Sequence, residues 1–116
     1  MSDLATVSVE PEGGHLVVRV AGEVDISNAQ DIEARIERAV PKDAVVLMLD
    51  LSDTRYLDSS GVALLLRLSD RLRSRRIVLR VVVPQSNPIR SVLELTGLGR
   101  MLALDEELAA ETTPTE

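Results

Sequence analysis

The chain has 116 residues, of which 45% are hydrophobic and 28% charged, and its formal net charge is −6 at pH 7. This is the profile of one globular domain that buries about two-thirds of the surface of its unfolded chain. The lack of cysteine excludes disulfides and thiolate metal sites, and the acidic balance with a single aromatic residue argues against general nucleic-acid binding. No apolar run reaches the ~18 residues of a membrane helix, and the N-terminus lacks the layout of a signal peptide, so we expect a cytoplasmic protein.

Two segments near the N-terminus alternate apolar and polar residues, which is typical of strands with one buried face. They cover residues 6–10 and 16–21, and residues 11–14 (PEGG) between them carry turn signals, so we predict a β-hairpin. Residues 27–30 (SNAQ) then match a capping box, and apolar residues at helical spacing predict a helix from position 29 to position 39.

The second half of the chain alternates strand and helix patterns. Residues 44–51 and 77–83 are almost continuously apolar, as expected of buried central strands, and a helix with a wide apolar stripe lies between them. Asn87 and Pro88 are favoured residues for the start of a third helix, and Gly97 is the glycine expected just past its end. We predict a short last strand or extended segment at residues 101–104, a weak helix from residue 105 and a disordered tail at residues 111–116.

A hairpin followed by alternating helices and strands predicts an α/β fold. Right-handed crossovers then favour a single mixed sheet of four to five strands, with helices packed on it, in one domain over residues 1–110. No apolar heptad marks a partner helix on the surface, so we expect a monomer.

The most informative segment is Asp58-Ser59-Ser60-Gly61, which joins the first of these buried strands to the apolar helix that begins at Ser59 or Ser60. The first N–H groups of a helix have no partners within the helix, and the dipole favours an oxyanion there. Ser59 is therefore a candidate phosphate acceptor. The local alternative is that the serine only caps the helix, which is worth about 1 kcal/mol.

An arginine cluster covers residues 67–80 and holds six of the chain's arginines. Asp70 is within helical reach of Arg67, Arg71 and Arg73, so the pattern indicates a solvated helix face and connector. The alternative is a docking site for an acidic protein.

A hydrolase would need activated-nucleophile geometry. Ser59 has candidate helpers in Asp58 and His15, but the chain has no G-x-S-x-G elbow, and its one histidine lies next to a glycine pair in the predicted hairpin. The sequence therefore predicts a protein that is not an enzyme, and no motif calls for a metal or cofactor.

Three motifs, in order and at matching spacing, resemble the STAS domains of bacterial anti-sigma factor antagonists over about residues 5–105. Residues 22–25 (GEVD) look like the family's G-E-[LVI]-D segment, residues 49–61 like its central strand and D-S-[ST]-G loop, and residues 92–98 (VLELTGL) like its closing helix end. One departure is residues 74–76 (SRR), which stand where many members have a glycine pair.

The resemblance implies a function for the serine loop. Members bind an anti-sigma factor that is also a serine kinase of ATPase-type fold, free a sigma factor for RNA polymerase, and are switched off when that kinase phosphorylates the loop serine; a phosphatase resets them. By position the acceptor is Ser59, with Ser60 and Gly61 shaping the turn, Asp58 supporting it, and Asp25 close by. The contact surface is expected to include the loop and the exposed side of the following helix, with residues 84–88 beside it. The alternative is a STAS scaffold, sensor or transporter-associated subunit that is never phosphorylated.

Overall fold

The computed structural model describes residues 4–12, 15–101 and 103–105. In chain order the elements are β1 (Ala5–Glu12), β2 (His15–Val24), α1 (Ala29–Ala39), β3 (Val46–Asp50), β4 (Thr54–Leu57), α2 (Ser59–Ser74), β5 (Val78–Val82), α3 (Ile89–Leu95), α4 (Leu98–Met101) and β6 (Ala103–Asp105). The predicted weak helix from residue 105 and the disordered tail at residues 111–116 lie almost wholly outside the described residues.

The strands form one mixed sheet in the order β1-β2-β3-β5-β6, and the short β4 pairs with β2 beyond the end of β3. Among the described strand pairs, only β1 and β2 are antiparallel, and together they form the predicted hairpin. Because β2 to β6 are parallel, their carboxyl ends and the segments that follow them meet at one edge of the sheet. The predicted mixed α/β architecture is confirmed.

One apolar cluster joins the sheet to the helices. Alternate β2 residues Leu16, Val18 and Val20 share it with Ile36 of α1 and Leu68 of α2. Ile36 and Leu68 are fully buried, so the predicted stripes of both helices face the sheet. None of the described helices is long and apolar enough to cross a lipid bilayer.

Several boundaries differ from the sequence prediction. The assigned strand β1 extends through Pro11 to Glu12, since an edge strand tolerates proline. Residues 54–57, for which no strand was predicted, form β4 because Glu23 and Val24 at the end of β2 pair with residues 56 and 57. The last strand starts at Ala103 and Met101 closes α4, so Met101 is not extended.

The predicted capping box of α1 is wrong. Asn28 is the N-cap residue and makes no side-chain cap hydrogen bond. The Ser27 hydroxyl donates instead to the Asp25 carboxylate at 2.5 Å, which is a nearer and charged acceptor.

The end of α2 has no glycine pair and is formed by residues 74–76 (SRR). Arg76 has φ +61°, the left-handed conformation usual for glycine after a helix, and its N–H donates to Arg73 O at 2.9 Å while Ile77 N–H donates to Leu72 O at 2.8 Å. The helix therefore ends in the usual way, with an exposed arginine at the strained position.

Candidate functional site

Asp58 is the residue that caps α2. Its backbone is extended (φ −100°, ψ −167°), and its carboxylate Oδ1 accepts hydrogen bonds from Ser60 N at 2.8 Å and Gly61 N at 3.3 Å. Two of the unpaired N–H groups at the helix start are thereby satisfied. The local alternative that Ser59 is the cap is therefore wrong, whereas the supporting role expected for Asp58 agrees with these bonds.

Ser59 is the first residue of α2 and its side chain is exposed. Within the described part of the chain its hydroxyl has no hydrogen-bond partner. Since Asp58 provides the cap, the Ser59 hydroxyl is left accessible at the positive end of a 16-residue helix.

Gly61 lets the first turn of α2 sit against the sheet. A Cβ at this buried position would lie 2.5 Å from Leu57 Cδ1 and 3.3 Å from Val24 Cγ1. The role of Gly61 is therefore to allow close packing. Ser60 is half-buried beside it and donates its backbone N–H to the Asp58 carboxylate.

Asp25 organises the turn between β2 and α1. Its Oδ1 accepts from Ser27 N at 2.8 Å and from Ser27 Oγ at 2.5 Å, and these bonds lower the pKa of Asp25, the hydroxyl contributing most. The ionised form is favoured in the fold, so this stabilisation is present at neutral pH and is lost as the pH falls through the native pKa.

A backbone hydrogen bond joins the Asp25 turn to the serine loop. Val24 and Leu57 are partners in the parallel pairing of β2 with β4, and Asp58 N donates to Val24 O at 3.3 Å. The two segments thus leave the same edge of the sheet side by side, while each aspartate is held by hydrogen bonds within its own turn.

Residues 84–88 lie against the connector between β3 and β4. Asn87 Nδ2 is within hydrogen-bond distance of the carbonyl oxygens of Leu51, Ser52 and Thr54 at 3.0–3.2 Å, and its Oδ1 accepts from Ile89 N at 3.0 Å. The predicted N-cap position of Asn87 is wrong, since Pro88 occupies that position, but the Asn87 side chain accepts from the first residue of α3 and fixes the connector that leads to the serine loop. Sequence reasoning did not anticipate this second role, because it depends on partners more than thirty residues away.

Sequence reasoning also passed over Ile26, whose side chain is 82% exposed in the turn beside Asp25. In the sequence, Ile26 can be recognised as an isoleucine among polar turn residues.

His15 does not approach the serine loop. It opens β2, whereas the serine loop follows β4 and lies beside the carboxyl end of β2, roughly 30 Å away along a ten-residue strand. Among residues 4–12, 15–101 and 103–105, no group of three or more His, Asp or Glu side chains is placed to hold a metal ion.

Two members of the arginine cluster tie α2 to α1. Arg67 forms a fork with Glu33, with Nη2–Oε1 at 2.8 Å and Nε–Oε1 at 3.0 Å, and Arg71 pairs with Glu37 at 2.6 Å. Of the three arginines within helical reach of Asp70, the one that pairs with it is Arg73, at 3.3 Å. These contacts favour a structural role for this part of the cluster.

Replacing Arg67 by alanine is expected to lower the Tm clearly, because the Glu33 side chain, only 9% exposed, would lose its partner. The matched control is Arg73→Ala, whose partner Asp70 is 73% exposed and well solvated. Thermal unfolding followed by circular dichroism compares the two, and an equal effect would contradict a structural role for the Arg67 fork.

Removing the cap with Asp58→Ala is expected to lower the free energy of unfolding by about 1 kcal/mol. Asp58→Ser keeps an acceptor oxygen and should recover most of that loss. Urea denaturation measures both, and an alanine variant as stable as the unmodified protein would show that the Ser60 and Gly61 N–H groups do not need Asp58.

A family model described as "STAS domain" matches residues 6–111. The chain belongs to the STAS domain family. This STAS domain is 30% identical over 95 residues to the anti-sigma-B factor antagonist of Listeria monocytogenes, covering 82% of each chain. It superposes with a TM-score of 0.82 on the crystal structure of an anti-sigma factor antagonist from Mycobacterium paratuberculosis, at 30% identity and with 91% and 89% of the two chains covered.

A second solved neighbour of the STAS domain is the Bacillus cell fate determinant SpoIIAA in its phosphorylated form. Its TM-score is 0.63 at 26% identity, with 90% of this chain and 96% of that chain covered. The relatives from Listeria monocytogenes and Mycobacterium paratuberculosis are named anti-sigma factor antagonists, which are regulatory binding proteins.

Proposed function

We propose that this STAS domain binds an anti-sigma factor while Ser59 is unmodified, and releases it when Ser59 is phosphorylated. One observation at the start of α2 carries the proposal. Asp58 caps the helix, and the exposed Ser59 hydroxyl has no partner among the described residues. A neighbour that has been solved in a phosphorylated form supports a switch by phosphorylation.

The partner we propose is an anti-sigma factor that is also a serine kinase of ATPase-type fold. Binding it would free a sigma factor in the bacterial cytoplasm, and a phosphatase would reset the switch. The contact surface is centred on Ser59 and includes Ser60 and the Asp25 turn, which leave the same edge of the sheet. Gly61 and Asp58 support this surface from beneath through packing and capping.

A phosphate at Ser59 changes the charge of this surface without requiring a new fold. It adds about −1.5 to −2 charge near pH 7. The helix dipole accommodates that charge at the first residue of α2. The partner would meet a desolvated dianion where it had met a neutral hydroxyl, so affinity falls while the STAS domain stays folded.

The experiment is a capture from native lysate with ADP present, using unmodified, Ser59→Ala and Ser59→Asp baits and identifying the bound proteins by mass spectrometry. We expect Ser59→Ala to retain an ATPase-fold anti-sigma factor and Ser59→Asp to lose it. Recovery of the same partners by all three baits would contradict the switch and favour a constitutive scaffold.

A further inference from the structure

Ile26 is one of the two most exposed large apolar side chains in the described part of the molecule, at 82%, together with Leu95 at 87%. Isolated apolar residues on a surface are ordinary and do not by themselves mark a contact. What sets Ile26 apart is how firmly the backbone around it is held and where it lies.

The residues on both sides of Ile26 are fixed by side-chain hydrogen bonds. Asp25 Oδ1 accepts from Ser27 N and Oγ, and Asp25 N donates to Asn28 Oδ1 at 3.0 Å. Asn28 Nδ2 in turn donates to Glu23 O at 2.9 Å, which anchors the turn to the end of β2. The turn therefore holds its backbone in one conformation with the isoleucine in solvent, and a preorganised apolar group loses little freedom on binding.

The turn adjoins the switch serine. Ile26 lies two residues beyond Val24, whose carbonyl accepts the Asp58 N–H, and Ser59 follows Asp58 directly. An apolar side chain and the serine hydroxyl are thus presented from neighbouring segments at one edge of the sheet. An apolar anchor beside a polar group is a common composition for the centre of a protein interface.

We propose that Ile26 is an apolar anchor of the anti-sigma contact, and that Asp25 is a positioning residue that presents it through its acceptor oxygen. The occupant of this surface is the anti-sigma factor, which would receive Ile26 in an apolar pocket next to Ser59. This inference rests on the proposed function. Full burial of an isoleucine corresponds to about tenfold to a hundredfold in affinity.

The test is the affinity of the purified anti-sigma factor captured by the Ser59→Ala bait, measured by calorimetry with ADP. Ile26→Ser is expected to weaken binding about tenfold to a hundredfold. The matched control is Leu95→Ser, which removes an equally exposed apolar residue at the end of α3 and should change affinity less than about twofold. Equal affinities for Ile26→Ser and the unmodified chain would overturn the anchor.

Two further variants test the role of Asp25. Asp25→Ala removes the acceptor and should weaken binding, whereas Asp25→Asn keeps an acceptor oxygen without the charge and should recover most of the loss. If asparagine is as damaging as alanine, Asp25 acts through its charge and the positioning role is wrong.

Ser59→Asp is included so that the two proposals fail separately. Tight binding by Ser59→Asp would contradict the proposed switch at Ser59. Loss of binding by Ser59→Asp together with full binding by Ile26→Ser would contradict only the proposal that Ile26 is an anchor.

Discussion

Replacing Gly22 by alanine is expected to lower the free energy of unfolding by about 3 kcal/mol or more, the sum of backbone strain and overpacking. Gly22 has φ +112°, and a Cβ there would lie 2.1 Å from Leu4 O and 3.0 Å from Ala5 Cα. Both neighbours are backbone atoms, and Leu4 O also accepts the Glu23 N–H at 2.9 Å, so the clash cannot be relieved without disturbing the pairing of β1 with β2. Equilibrium urea denaturation measures the loss.

The matched control is Gly97→Ala. Gly97 also has a positive φ, +83°, but among the described residues, its chain neighbours aside, no heavy atom would lie within 4 Å of its Cβ. This variant should lose only about 1 kcal/mol, the conformational term. Equal losses at the two positions would show that the contact with Leu4 is not what requires glycine at position 22.

Phosphorylation of Ser59 is expected to weaken anti-sigma binding by about a hundredfold or more. Desolvating a charge that meets no counter-charge in an interface costs several kcal/mol, and about 2.7 kcal/mol corresponds to a hundredfold. The added dianion falls at the centre of the proposed contact, on a chain that already carries a net charge of −6. Dissociation rates of protein carrying phosphoserine at position 59 measure the effect, since interface changes act mainly on dissociation.

Two comparisons separate a local effect from a general one. Phosphoserine at the exposed Ser8 of β1 adds the same charge away from the serine loop and should change the dissociation rate little. Amide NMR shifts in the Ser59 phosphoprotein should be confined to the serine loop, the Asp25 turn and the start of α2. Changes throughout the sheet would mean that phosphorylation acts by altering the fold.

Local patterns were enough to predict most of the fold. Apolar periodicity gave α1 and α2, alternation gave the hairpin, and Gly97 marks the end of α3 with a positive φ as expected. The four-residue strand β4 could not be predicted in this way, since it is short, exposes Arg55 and Tyr56, and exists by pairing with β2. The prediction of a capping box at α1 was wrong because the sequence pattern does not take account of Asp25, whose carboxylate is a stronger acceptor for the Ser27 hydroxyl.

The site shows the same division between local and distant contacts. Motif spacing located Asp58 and Ser59, but aspartate and serine both cap helices, so the sequence left the capping residue open. The backbone conformation shows that Asp58 is the cap. The pair of Asp70 with Arg73 follows from helical spacing, whereas the fork of Arg67 with Glu33 joins residues 34 apart and depends on how α1 and α2 pack. The prominence of Ile26 likewise depends on hydrogen bonds that only the folded turn displays.

The most direct measurement is the displacement of a labelled sigma factor from its purified complex with the captured anti-sigma factor, followed by fluorescence anisotropy. Unmodified protein and protein phosphorylated at Ser59 are added at the same concentrations with ADP present. We predict that the unmodified protein releases the sigma factor and that the phosphorylated protein does not. Equal release by the two forms, or release by neither, would contradict an anti-sigma antagonist that is switched at Ser59.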